Sequence, residues 1–99
     1  MDYSLHVVAP GPRPPYPKVA EHLWGTGCNF DSDGNSDPWD DREWTELTVI
    51  LRSDTEQRVD IDPISVDPLI LVVKSSQQSL CQMTADFIVS VSGGEFRRA

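Results

Sequence analysis

Apolar residues recur along the chain with two periods, and each period marks a different kind of element. Period-two alternation predicts strands. Tyr3 to Ala9 is short, apolar and β-branched toward its end, and Pro10, which has no N–H to extend a ladder, stops it. Glu46 to Arg52 places Leu47, Val49 and Leu51 on one face, and Gln57 to Asp62 repeats the alternation through Val59 and Ile61, so the two read as an antiparallel hairpin across Ser53–Glu56. Asp62-Pro63 and Asp67-Pro68 bound a short irregular link, after which residues 69–74 are apolar on both faces and belong in the centre of a sheet or beneath a helix.

The three-to-four-residue period appears twice. Pro17 suits a first helical turn, Val19, Leu23 and Trp24 give one apolar side, and Gly25 supplies the stop. Leu80, Met83, Phe87 and Val91 form a second stripe, begun by Ser75 or Ser76, with Gln78 at capping-box spacing from Ser75, and ended by Gly93-Gly94. Residues 87–92, FIVSVS, alternate like a strand but continue the helical stripe. The resulting prediction is an α+β two-layer sandwich: an antiparallel or mixed sheet of about four strands with two helices on one face. Ninety-nine residues fit one domain, 1–99, and the 38% apolar content suffices for one modest core.

Between Gly25 and about residue 45 neither period is present. Gly, Asn, Asp, Ser and Pro fill most positions, and the stretch reads as a long acidic loop within the domain, bracketed at its end by Trp39 and Trp44. Charge makes this segment conspicuous. The formal net charge is −8, yet residues 31–67 alone hold twelve acids and three bases while the flanking thirds are near balance. A surface of that sign repels phosphate backbones and attracts basic partners, which argues against direct nucleic-acid binding. The N-terminal run lacks the bases and the long apolar core of a signal peptide, and no segment is long enough to span a bilayer; a cytoplasmic protein with two unpaired thiols, Cys28 and Cys81, is the expectation.

Three chemistries compete for the acidic loop. As a partner-binding surface it offers Asp31, Asp33, Asp37, Asp40, Asp41 and Glu43 against a basic protein, with Trp39 and Trp44 as apolar anchors. As a calcium loop it sets Asn29, Asp31, Asp33, Asn35, Asp37 and Asp40 near ligand positions, with Gly34 at the required turn. That fit is weakened by Asn at the first position, the short Asp40 at the last, and Gly25 and Gly27 where an entering helix belongs. Otherwise the loop is a solvated cluster of turn residues.

Catalysis has little support. The carboxylates lie in a polar loop with no apolar surroundings to separate their pKa values, and His6 and His22 have no ligand-spaced partner. Cys81 reads as core, and Cys28 is the one thiol with a claim to reactivity. The favoured expectation is a non-catalytic, cofactor-free, acidic protein-binding module. Small size, a mixed fold and the loop DSDGNSDPWDDRE resemble the small acidic immunity proteins with which bacteria neutralise their own toxins. The resemblance implies that the loop acids stand in for substrate phosphates on a basic toxin such as a nuclease.

Overall fold

A computed structural model of the chain describes residues 2–35 and 43–98. Among these residues lie eight elements: β1 (Tyr3–Val8), α1 (Tyr16–Trp24), β2 (Phe30–Gly34), β3 (Leu47–Leu51), β4 (Arg58–Val66), β5 (Leu69–Ser75), α2 (Gln78–Ser92) and β6 (Glu95–Arg98). The strands form one sheet in the order β2-β3-β4-β5-β1-β6, and every neighbouring pair is antiparallel. The architecture is the predicted α+β sandwich, with six strands where the apolar pattern indicated about four.

Register explains the layers. Leu47↔Ile61, Val49↔Val59, Ile61↔Val73 and Leu71↔Val7 carry one apolar row across β3, β4, β5 and β1, and these side chains are 0–2% exposed. Directly opposed residues share a face, so this row makes one covered side. α2 lays Leu80, Cys81, Thr84, Ala85 and Ile88 on it at helical spacing, and α1 adds Val19 and Ala20. The helices also touch each other, where the His22 ring stacks on Phe87 at 4.3 Å between centroids. Thus residues 87–92 are helical despite their strand-like alternation, because Ile88 is buried in the core and Phe87 packs against α1.

Three expectations require correction. The segment from 25 to 45 is not one loop, because β2 lies within it. The irregular link at 62–68 is mostly strand: β4 continues to Val66, with a register shift between Pro63 and Ser65 that accommodates the missing proline N–H. Ser75 does not cap α2. Its hydroxyl donates to the Arg58 carbonyl at 2.6 Å and accepts from the Gln77 N–H at 3.1 Å, which ties the end of β5 to β4. At the other end of α2, Gly93 and Gly94 have φ of 77° and 96°, and a Cβ on Gly94 would sit 2.6 Å from the Val8 carbonyl oxygen. This glycine turn lets the chain double back beside β1 as β6.

Candidate functional site

The ion pairs order the sheet electrically. Lys18 pairs with Glu21, Arg52 with Asp31, Arg58 with Asp60, Lys74 with Asp62, and Arg13 with Glu43. Among the described residues Arg97 and Arg98 on β6 enter no ion pair, nor do Asp33 on β2 and Glu46 just before β3. The β2–β3 edge of the sheet therefore carries unneutralised acid, whereas β6 at the opposite edge carries unneutralised charge of both signs, since Glu95 also enters no ion pair among the described residues.

At the acidic edge, Asp31 and Asp33 stand opposite Ile50 and Thr48, on the face away from the helices. The Arg52 guanidinium holds Asp31 at 2.7 Å, whereas Asp33 is exposed. Asn35 then clasps the returning chain: its Oδ1 accepts from the N–H groups of Thr45 at 2.9 Å and Glu46 at 3.0 Å, and its Nδ2 donates to Thr45 Oγ1 at 2.8 Å. Gly34 permits this approach, since a Cβ there would collide with the Glu46 carbonyl. The segment between Asn35 and Thr45 is thus the connection of a β2–β3 hairpin whose base is fastened by a side-chain amide.

A second fastening comes from the proline-rich connector after β1. Arg13 is only 6% exposed; its Nε donates to the Trp44 carbonyl at 2.7 Å and its Nη1 to the Gly11 carbonyl at 3.1 Å, while Nη2 lies 3.5 Å from Glu43. The Trp44 ring is fully buried, and its indole N–H donates to the Pro14 carbonyl at 2.9 Å. Trp44 is therefore a core side chain, and the expectation that it anchors a partner is corrected: a ring enclosed on all sides has no surface to offer. Asp37, Trp39, Asp40 and Asp41 lie outside the described residues.

The alternative calcium reading does not fit the described part of the loop. Phe30–Gly34 is an extended strand, so Asp31 and Asp33 point along one face of a sheet instead of converging on a centre, and the Asn35 oxygen is already engaged by two backbone N–H groups. Asn29 precedes the strand with its carbonyl bonded to the Arg52 N–H at 3.1 Å. Among the described residues no three His, Cys, Asp or Glu side chains gather as a metal site. The sequence did not single out Arg13, and it offered Asn35 only as a candidate calcium ligand, not as a clasp. A lone arginine among prolines and one asparagine among many turn residues carry no local sign of their distant partners.

Elsewhere, both cysteines are free; Cys28 is half-buried against the core, and burial pushes the Cys81 thiol up as it donates to the Val73 carbonyl at 3.3 Å. His6 is half-buried on β1, between Val72 and Arg97 in register. A cavity of about 420 Å³ lies between β1, β6 and the start of α2, lined by Tyr3, Leu5, Gln78, Cys81, Gln82 and Arg98 among others. No described helix is long and apolar enough to cross a membrane. Searches of family models, curated proteins and solved structures found no match.

Proposed function

We propose that the protein is a binding module whose acidic sheet edge receives a basic protein surface. The observation that supports this reading is the double fastening of the hairpin base. Asn35 on one side and the buried Arg13–Trp44 pair on the other hold the two ends of the hairpin base, while Asp33 and Glu46 remain exposed and, among the described residues, without a counter-ion. Fixed charge of one sign on a rigid base accelerates encounter with an oppositely charged partner and makes it salt-dependent.

In this reading the protein acts without catalysis or cofactor, in the manner of an immunity protein, its acids occupying a toxin surface built for phosphates. The cytoplasm suits its two free thiols. Nucleic acid is disfavoured as a direct ligand by the same charge.

The test uses the chain's own basic partner, isolated by affinity capture and then purified, with association rates measured across a salt series. Asp33→Asn with Glu46→Gln removes two uncompensated charges and is expected to slow association about two- to tenfold at low salt. Arg52→Gln releases Asp31 from its ion pair and is expected to accelerate it. Rates indifferent to both changes would show that the acidic edge is only solvated surface.

A further inference from the structure

β6 is the last strand of the sheet, so one of its edges has no neighbour, and all four of its residues are exposed. An open edge of this kind is a template for another strand. Neither a proline nor a register shift interrupts it. Its residues alternate as the pairing with β1 dictates: Glu95 and Arg97 oppose Val8 and His6 on the bare face of the sheet, whereas Phe96 and Arg98 oppose Val7 and Leu5 on the helix-covered face. Phe96 is 42% exposed, although its partner Val7 is fully buried. Among the described residues Glu95 and Arg97 enter no ion pair.

We infer that β6 pairs with β6 of a second copy of this chain, antiparallel and centred on Phe96, to make a two-fold dimer with one continuous sheet. The argument is one of self-complementarity. A two-fold axis between antiparallel edge strands runs perpendicular to the sheet, so both copies keep their helices on the same side and opposed residues must share a face. With the axis at Phe96, the two Phe96 rings meet on the helix side. Glu95 of each copy then faces Arg97 of the other on the bare side, and two ion pairs form symmetrically. The sequence Glu-Phe-Arg is thus complementary to itself in the one arrangement that closes, which limits the assembly to two copies.

The acids of the β2–β3 edge do not oppose this contact. The uncompensated acids Asp33 and Glu46 lie at the β2–β3 end of the sheet, and β2 is five strand spacings from β6, roughly 24 Å. That separation exceeds the screening length of about 8 Å at physiological salt. The dimer places two acidic edges at its far ends and leaves both exposed.

The test is sedimentation equilibrium on the full chain and its charge variants at concentrations up to ~1 mM. Wild type is expected to form dimers and nothing larger. Glu95→Arg alone, or Arg97→Glu alone, sets like charges opposite each other at two symmetric positions, and each is expected to weaken dimerisation at least about tenfold. The double variant Glu95→Arg, Arg97→Glu restores both pairs and the dimer. A mixture of the two single variants is expected to form the heterodimer selectively. Both positions are exposed, and unchanged thermal melting will show that the fold is retained. A monomeric wild type at the highest concentration, or failure of the double variant to recover the dimer that each single variant loses, would overturn the inference.

Discussion

The two faces of this sheet are made by the same strands and held by different forces. On the covered side Val7, Leu47, Val49, Val59, Ile61, Leu71 and Val73 are sealed beneath two helices, with Trp44 at the margin. On the bare side the same strands present Thr48, Arg58, Asp60, Asp62 and Lys74, which form hydrogen bonds and ion pairs within β4 and across to its neighbours. Val8, Ile70 and Val72 interrupt them as a narrow apolar strip beside His6. The difference teaches that stability in this molecule depends chiefly on one face, while the other is left for charge.

Three substitutions probe that division. Trp44→Ala removes the largest fully buried side chain among the described residues and a satisfied indole N–H, and should lower unfolding free energy in urea by about 3–5 kcal/mol. Arg13→Met asks whether a cation enclosed by the covered layer behaves as part of the core. It leaves the Trp44 and Gly11 carbonyls without their donor, and a loss of about 2–3 kcal/mol is expected in the same measurement; a loss under ~0.5 kcal/mol would place Arg13 with the surface charges.

Asp60 provides the smallest effect and a pH signature. Burial by itself pushes its carboxyl up, but hydrogen bonds from Arg58 and Thr48, with the charges of Arg58 and Lys74, outweigh burial and hold it below the ordinary carboxylate range. Folding therefore favours the ionised form. The stabilisation is complete above an ordinary carboxylate pKa of about 4 and is lost as pH falls through the lowered folded-state value. Asp60→Asn should cost about 1 kcal/mol at neutral pH, discounted for its partial exposure. The gap from wild type should close in acid; a gap that persists there would assign the loss to packing.

The sequence was readable where a side chain's partners impose a period. β1, β3, β5 and both helices bury one side or both, so their apolar spacing announced them. β2 escaped because Asp31, Ser32, Asp33 and Gly34 bury nothing: it is an edge strand whose backbone pairs only with β3. β6 escaped for the same reason, with four exposed residues after a glycine turn. Proline at 63 disguised the extension of β4, because the register shift that tolerates it is a property of the paired sheet. At the candidate site, composition revealed the charge but not its neutralisation. That Asp31 is tied to Arg52 and Glu43 to Arg13 depends on contacts between distant parts of the chain, which no local window contains.

The position of β1 between β5 and β6 has a consequence for how the chain is made. Leu5 pairs with Val73 on one side and Arg98 on the other, so β1 completes its ladders only when β6 has also left the ribosome. At roughly 5–20 residues per second, synthesis leaves this apolar strand waiting several seconds with both edges open. Pairing of such sequence-distant segments is also the slow kind. Until then Leu5, Val7 and Val8 lie on an open edge that can template aggregation, and a truncation that removes β6 leaves one side of β1 open permanently.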